Sequence, residues 1–414
     1  MKNVNRRAVL GGALAATAGA VTAGAAGIPL TASATDVPAG GVEPHPAPRP
    51  VAPVNQAIAD AHAAIYKTLP EVVVGVDVED LMKVHTAADA DALRPQLVAQ
   101  VWKDTGVLPT ALPTVTRGVG APSVLPAFTG VRRYDKLDVP MEFGYVSTVW
   151  LLEPEQSTHR RVAFYHNGHG EGPETMQPVT QALLDRGYTV LLFAMPFYHW
   201  NPKTLQDPAD PTKQLQPSHN DLPLWESATY SPLSLFLTPL SVAMNYVQAT
   251  YQPSSVQMIG LSGGGWATTV YPALDTRITR SYPTAGSLPF FVRPGSPKPS
   301  PTRGDWEQRL DKQPGLYGLA DFPDFYALAS IGPNRRQMQI LNRFDDCCFN
   351  GVGHRSYEAA VRQRIAVIGT DAVSNESNGY WELLEDATHQ MHAISPYALS
   401  VILWDLDVHC AHLP

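Results

Sequence analysis

A short apolar segment that breaks into a glycine-flanked serine constrains the fold of this chain more than any other feature. Residues 256–266 read Val-Gln-Met-Ile-Gly-Leu-Ser-Gly-Gly-Gly-Trp, which predicts a buried strand that turns sharply into a helix with Ser262 exposed at the apex. Gly260 and Gly264 suit this turn because a β-carbon at either position would collide with neighbouring backbone. Gly263 opens the helix, and its N–H can face an anion beside Ser262. Taken alone, the pattern also fits an ordinary glycine-rich turn.

Strand and helix patterns alternate along the second half of the chain. Strands are predicted at 144–152, 161–166, 188–194, 255–259, 278–282, 337–341 and 380–384, and helices at 176–187, 235–251, 356–367 and 397–405. This alternation is typical of a mostly parallel sheet with helices on both faces. Two insertions rich in proline and aromatic residues, 195–232 and 287–330, are long enough to be lids over a pocket. Surface decoration is the alternative.

The first 34 residues have the pattern of an export signal. Arg6 and Arg7 precede an apolar run rich in alanine and glycine, and Ala32-Ser33-Ala34 supplies a small-x-small cleavage pattern. Paired arginines in this setting resemble a twin-arginine signal and predict a secreted, periplasmic or cell-envelope protein. A retained membrane anchor is the alternative, although so many glycines and alanines make a poor membrane span.

Three further segments follow the signal. We predict a proline-rich linker at 35–53, a helical extension at 54–135 and a main domain at 136–414 that contains both insertions. Within the extension, apolar residues recur at helical spacing in two stretches, at Ile58, Ala61, Ile65 and Leu69 and then at Leu93, Leu97 and Val101.

Charge and cysteine content narrow the functional classes. A formal net charge of −8, with no block of basic residues, argues against nucleic acid and anionic membranes as partners. After removal of the signal we expect no stable membrane anchor.

Three thiols, Cys347, Cys348 and Cys410, permit one internal disulfide. Because adjacent cysteines pair only with strain, we expect one of the first two to pair with Cys410, or all three to be buried. Without a Cys-x-x-Cys motif, no structural zinc is expected.

Two neighbouring aspartates follow the predicted strand at 337–341. A serine hydroxyl becomes a nucleophile when a base takes its proton and a carboxylate orients that base. In the fold that this serine turn resembles, the acid and the base follow later strands, in that order. Because the side chains of neighbouring residues should point in different directions, only one of the two aspartates is expected to be the acid. Asp345 is favoured, with Asp346 as a turn or capping residue, and Asp346 stays as the alternative.

Two histidines follow the last predicted strand. His392 lies three residues before Ser395-Pro396, a cap and first position of the last predicted helix, and a base just ahead of that helix would lean toward the serine. His389 fits the distance from the strand end and stays as the alternative.

A glycine-rich stretch follows the strand at 161–166. Residues 165–172 read Tyr-His-Asn-Gly-His-Gly-Glu-Gly. Backbone N–H groups at His169 and Gly170 can join that of Gly263 as donors to an oxyanion, each worth about 3–4 kcal/mol in a transition state. An ordinary glycine turn is the alternative.

Together these motifs resemble the α/β-hydrolase superfamily over about residues 140–410. His169-Gly170 resembles its oxyanion loop and Gly260–Gly264 its serine turn, and the aspartates and histidines match its acid and base in order. The resemblance implies an α/β fold with a mostly parallel, eight-stranded sheet and helices on both faces. It also implies a covalent acyl-enzyme and no metal or organic cofactor.

The leading functional hypothesis is an exported serine hydrolase of the esterase or lipase type. It would cleave small-molecule or polymeric esters, and its oligomeric state is not indicated. Acyl transfer through the same acyl-enzyme is one alternative, and a binding protein that keeps the fold without the chemistry is another.

A metallohydrolase is a further class to consider. His166 and His169, and His389 and His392, form two His-x-x-His pairs. Both fall in predicted loops and neither has His-Glu-x-x-His spacing, which argues against this class.

Aromatic residues of the two insertions are candidates to line an acyl site, with packing inside the insertions as an equal alternative. They are Phe197, Tyr198, Trp200, Trp225, Phe290, Phe291 and Trp306.

Overall fold

The computed structural model describes residues 47–157, 160–170, 172–370 and 379–410. The helices are α1 Gln56–Ala61, α2 Val78–Leu81, α3 Ala87–Val101, α4 Pro173–Leu184, α5 Ser234–Thr250, α6 Gly263–Leu274, α7 Pro299–Thr302, α8 Pro314–Tyr317, α9 Phe322–Ser330, α10 Glu358–Thr370 and α11 Pro396–Cys410. The strands are β1 Thr114–Val119, β2 Val131–Pro140, β3 Val146–Pro154, β4 Arg161–His166, β5 Thr189–Phe193, β6 Leu205–Gln206, β7 Gln214–Leu215, β8 Ser255–Leu261, β9 Ile278–Thr284, β10 Arg336–Asn342 and β11 Tyr380–Asp386. The predicted signal, residues 35–46 of the predicted linker and the side chain of Cys410 lie outside the described residues.

One large sheet organises the described chain. Its strand order is β1-β2-β3-β5-β4-β8-β9-β10-β11. Along this order, each neighbouring pair from β5 to β11 is parallel. The pairs β1–β2, β2–β3 and β3–β5 are antiparallel. The predicted strands all lie within two residues of the observed ones. The α/β fold with a mostly parallel sheet is therefore confirmed.

The sheet has nine strands, one more than the eight expected. Two strands of this sheet, β2 and β1, were not predicted. The edge strand β1 lies in the segment 54–135 where only helices were predicted. It pairs with β2 and is largely exposed. Because an exposed edge strand buries little apolar surface, its sequence carries no clear alternating pattern.

Helices cover both faces of the sheet. Along β4, Val162 and Phe164 pack into one apolar core and Ala163 and Tyr165 into the other, because successive side chains of a strand point to opposite faces. The first core is completed by residues of α3, α5, α6, α9 and α10, and the second by residues of α4 and α11. This two-sided burial explains why the strands read as continuous apolar runs.

The two helical stretches predicted in the extension behave differently. The second forms α3, with Leu93, Leu97 and Val101 buried as expected. The first is not one helix, because α1 ends at Ala61 and only short 3-10 turns follow. Ile65 is 53% exposed, so this stretch lacks the buried face that would stabilise a longer helix.

The parallel arrangement determines where functional residues can gather. The carboxyl ends of β4, β8, β10 and β11 lie at the same edge of the sheet, and the loops that follow these strands meet there. Among the described residues, no helix combines the length and the hydropathy required to span a bilayer.

Candidate active site

Ser262 stands at a strained turn between β8 and α6. Its backbone angles are φ 60° and ψ −123°, a sparsely populated region that costs a non-glycine residue on the order of 1–3 kcal/mol. The side chain is partly exposed, whereas the adjacent strand and helix are buried. The turn therefore presents a hydroxyl to solvent from an otherwise rigid part of the core.

The glycines around Ser262 are required by crowding, as the sequence predicted. A β-carbon at Gly260 would overlap the carbonyl oxygen of Gly264 and the hydroxyl of Thr268. A β-carbon at Gly264 would overlap the carbonyl oxygen of His166. The end of β4 thus packs directly on the first turn of α6.

Gly263 and the loop after β4 lie against each other. A β-carbon at Gly263 would overlap the imidazole of His169, and both Gly170 and His169 line the same cavity as Ser262. Gly263 begins α6, so its amide is one of those at a helix start that lack an intrahelical acceptor. The predicted donors to an oxyanion are therefore neighbours at the mouth of the serine turn.

His392 and Asp345 form a hydrogen-bonded pair. His392 Nδ1 donates to Asp345 Oδ2 at 2.8 Å, and the aspartate is fully buried. His392 lines the cavity that Ser262 also lines. Asp346 is exposed, and its amide and carbonyl bond to Gln390 and Lys298. Neighbouring aspartates thus face opposite directions, and only Asp345 contacts an imidazole.

Further donors hold the Asp345 carboxylate in place. Its Oδ1 accepts from the amides of Cys347 and Cys348 at 2.8 and 3.3 Å, and its Oδ2 also accepts from Asn342 Nδ2 at 3.2 Å. With Nδ1–H donated to this carboxylate, a neutral His392 carries its lone pair on Nε2. No hydrogen bond joins Ser262 Oγ to His392 in the part of the chain described here, and such bonds often shorten only when substrate binds.

His389 faces a different carboxylate. Its Nε2 lies 3.4 Å from Asp386 Oδ2, and Asp386 also accepts from Thr388 and Ser395. Burial raises the pKa of Asp386, but the hydrogen bonds from His389, Ser395 and Thr388 hold the pKa below its ordinary value. His389 is absent from the cavity lining, so the two histidines occupy separate environments.

The cavity beside Ser262 has a mixed polar and apolar lining. It measures about 600 Å³ and is lined by His169, Gly170, Gly172, Glu174, Thr175, Ser262, Ser300, Pro301, Gly304, Asp305, Gln308, Cys347, Cys348, Phe349 and His392. None of the aromatic residues proposed to line an acyl site is in this set. Trp225 and Trp306 are each 2% exposed and pack in the core of the insertions, because a large apolar ring gains more from complete burial than from a wet pocket.

Cys347 and Cys348 lie beside His392. Their Sγ atoms are 2.6 Å apart and form no disulfide, and Cys348 Sγ lies 3.9 Å from both ring nitrogens of His392. Cys348 is buried, whereas Cys347 is partly exposed toward the cavity. The predicted pairing with Cys410 lies outside the described side chains.

Sequence reasoning did not identify His219 and Glu307. His219 lies in the first insertion and Glu307 in the second, and both contact His169. Burial raises the pKa of Glu307, but the adjacent His219 and His169 hold the pKa of this carboxyl well below its usual range. Sequence separations of 50 and 88 residues join the three side chains, so no local motif marks them.

The two His-x-x-His pairs do not act as units. Fully buried His166 donates from Nδ1 to the carbonyl of Asn167 at 2.8 Å, and burial lowers the pKa of His166 to about 4. His169 contacts Glu307 instead, and His389 contacts Asp386 while His392 contacts Asp345. The spacing that suggested a metallohydrolase therefore brings no pair to a shared ligand position.

Comparisons with known proteins give no sequence match. No protein-family model matches the chain. A search of curated proteins also finds no match.

Solved structures do match. The methylesterase BT1017 superposes with a TM-score of 0.53 at 16% identity, covering 89% of this chain and 70% of that protein. Acetyl xylan esterase 1 from Thermoanaerobacterium sp. JW/SL YS485 gives a TM-score of 0.50 at 10% identity, covering 80% of this chain and 99% of the esterase. With this likeness and the topology described above, the chain has the α/β-hydrolase fold that both esterases share.

Proposed function

We propose that this protein is a serine hydrolase that cleaves carboxylic esters, with Ser262 as nucleophile, His392 as base and Asp345 as the carboxylate that orients the base. The observation that carries the proposal is the 2.8 Å hydrogen bond between His392 and buried Asp345, in a residue pair whose histidine lines the same cavity as Ser262. A strained, exposed serine at the start of a helix supports the same role.

The proposed reaction runs in two steps. His392 Nε2 takes the proton from Ser262 as the serine oxygen attacks the ester carbonyl carbon, and the imidazolium is stabilised by Asp345. Collapse of the tetrahedral intermediate breaks the ester C–O bond, and the leaving alkoxide receives the proton from His392. Water then attacks the acyl-enzyme by the same route and releases the acid and free Ser262.

Backbone amides are proposed to stabilise the oxyanion. The N–H of Gly263 is at the positive end of α6, and the loop containing His169 and Gly170 packs against it. Two donors of this kind would each contribute about 3–4 kcal/mol to the transition state.

The mixed lining of the cavity supports a substrate with a small acyl or alkyl group on a hydrated partner. Seven of its fifteen lining residues carry carboxylates, hydroxyls or imidazoles, and Phe349 is the one phenylalanine, tyrosine or tryptophan among the described residues that line it. A long fatty acyl chain would gain little there, since burial of apolar surface drives its binding. Carbohydrate esters fit this chemistry, and both structural neighbours are named as esterases, one of them for acetyl xylan.

Labelling with a fluorophosphonate probe tests the nucleophile. We expect one adduct on Ser262 in the unmodified protein and none after Ser262→Ala, with hydrolysis of p-nitrophenyl acetate reduced by about six orders of magnitude. Ser300→Ala is the matched control, because Ser300 lines the same cavity and should leave labelling intact. Labelling that persists in Ser262→Ala, or an unmodified protein that does not react, would reject the proposal.

The acyl preference is tested with p-nitrophenyl esters of increasing chain length. We expect kcat/KM to be highest for acetate and to fall by octanoate. A preference for octanoate would reject the proposal that the cavity takes a small acyl group. It would not bear on the proposal that Ser262 is the nucleophile.

We also propose export, on the pattern of Arg6, Arg7 and Ala32-Ser33-Ala34. The double substitution Arg6→Lys with Arg7→Lys should retain the precursor in the cytoplasm, because twin-arginine signals are read as a pair. Normal export of this variant would contradict the assignment.

A further inference from the structure

Three ligand atoms from distant parts of the chain converge behind the loop that follows β4. His169 Nε2 lies 3.1 Å from His219 Nδ1 and 3.2 Å from Glu307 Oε1, and His219 Nδ1 lies 3.1 Å from Glu307 Oε2. Glu307 is fully buried and His219 is 4% exposed. His169 belongs to the loop, His219 to the insertion at 195–232 and Glu307 to the insertion at 287–330.

The outer nitrogens of both histidines face oxygen atoms that only accept. His219 Nε2 lies 3.0 Å from the carbonyl of Pro196, and His169 Nδ1 lies 3.3 Å from Asp305 Oδ2. When the rings are neutral, each outer nitrogen therefore carries the proton. The inner nitrogens, His169 Nε2 and His219 Nδ1, then present lone pairs toward each other and toward the Glu307 carboxylate.

Ligand atoms this close together, with a buried carboxylate among them, can be joined by shared protons or by a metal ion. A proton on one inner nitrogen leaves the lone pair of the other facing a carboxylate oxygen, and protons on both would place two imidazolium rings beside one carboxylate. Glu307 Oε1 lies 3.2 Å from His169 Nε2 and makes no well-aligned hydrogen bond within the described residues. A divalent ion bonded to all three groups would satisfy every lone pair at once.

The spacing matches that of a small transition metal. With bonds of about 2.0–2.1 Å to nitrogen and oxygen, tetrahedral zinc separates its ligand atoms by about 3.3 Å, close to the 3.1 and 3.2 Å found here. The outer contacts to Pro196 and Asp305 are those that orient ligating imidazoles in metal sites. Aromatic rings of Tyr198 and Phe236 lie against His219 at centroid distances of 5.3 and 4.8 Å and cover its side of the cluster.

We propose that His169, His219 and Glu307 bind one zinc-class divalent ion that fastens both insertions to the loop after β4. The ion is a positioning element and not the reacting centre. Because the His169 imidazole packs on Gly263, the ion holds the loop beside Ser262 in register with the start of α6. Binding of the ion at this site does not depend on ester hydrolysis by Ser262.

Metal content of the purified chain tests this site directly. After removal of metal and dialysis against Zn²⁺, we expect elemental mass spectrometry to find about one zinc ion per chain. Free Zn²⁺ at about one hundred times the dissociation constant should raise Tm by roughly 3 °C. With Co²⁺ as the probe, visible absorption of a tetrahedral nitrogen and oxygen site is expected, without the near-ultraviolet band of a cobalt–thiolate bond.

Paired variants separate this cluster from the other candidate ion-binding group, Cys347, Cys348 and His392. His219→Ala and Glu307→Gln should each abolish binding of one Zn²⁺, whereas the double variant Cys347→Ser with Cys348→Ser should retain it. Fluorophosphonate labelling of Ser262 reports on the proposed function separately.

Two results would overturn the inference. One is an unmodified chain that binds no zinc and shows no Tm shift, which would mean that the cluster shares protons only. The other is zinc binding that is abolished in the double variant Cys347→Ser with Cys348→Ser and retained in Glu307→Gln. The measurements on the unmodified chain decide the first outcome even if the substituted chains fail to fold.

Discussion

Asp345→Asn is the substitution whose outcome the geometry determines most tightly. Oδ1 of the buried carboxylate accepts from the amides of Cys347 and Cys348, and Oδ2 accepts from His392 Nδ1 and Asn342 Nδ2. Backbone amides can only donate, so an asparagine must keep its oxygen toward residues 347 and 348. Its NH₂ then faces His392 Nδ1, which must accept and move its own proton to Nε2.

That tautomer cannot take a proton from Ser262. Loss of the correct tautomer in a Ser-His-Asp arrangement lowers kcat by about 10⁴-fold, which corresponds to about 5 kcal/mol in the activation free energy. The new NH₂ also faces Asn342 Nδ2, another donor. A buried donor without an acceptor costs about 1–3 kcal/mol, so a modest decrease in the free energy of unfolding should accompany the loss of activity.

Steady-state hydrolysis of p-nitrophenyl acetate, with chemical denaturation of the same samples, measures both effects. Asp346→Asn is the matched control, because its exposed side chain should leave kcat within about twofold of the unmodified value. If Asp345→Asn kept more than about a tenth of kcat, the tautomer argument would be refuted. A larger loss in Asp346→Asn would transfer the role to that residue.

Three further predictions follow from separate contacts. His392→Ala should lower kcat by about 10³-fold or more and His389→Ala by less than tenfold, because His389 pairs with Asp386 outside the cavity; equal losses on the same ester assay would contradict the assignment. Gly264→Ala should lower the free energy of unfolding by about 1–3 kcal/mol or more, since its methyl group would overlap the His166 carbonyl, and an unchanged denaturation midpoint would reject this packing. The pKa of buried His166 is lowered to about 4, so the unfolded chain binds its proton first as the pH falls. Stability is then complete above about pH 6.5, and His166 alone removes about 3 kcal/mol by pH 4; a nuclear magnetic resonance titration that finds the His166 ring protonated at pH 6 in the folded protein would disprove this.

The sequence alone predicts the strands of the large sheet from β3 onward. Buried parallel strands are continuous apolar runs bounded by turn residues, so each carries its signal locally. The exposed edge strand β1 buries too little apolar surface to mark itself, and the helix expected near Ile65 has no core to cover. Prediction therefore failed where tertiary pairing, and not local pattern, supplies the stabilisation.

The site divides in the same way. Ser262 and its glycines are recognisable because steric crowding at a sharp turn acts on adjacent residues. The direction in which neighbouring side chains point depends on how two loops from different strands meet, so only the fold places Asp345 against His392 and Asp346 in solvent.

Local sequence determined the α/β order of elements and the strained serine, because hydrogen bonding and sterics within a few residues are enough for both. The tertiary structure alone decided the polarity of the cavity and the meeting of His169, His219 and Glu307. Those features need side chains 50 and 88 residues apart to be buried together, and no short-range periodicity encodes a contact between separate insertions.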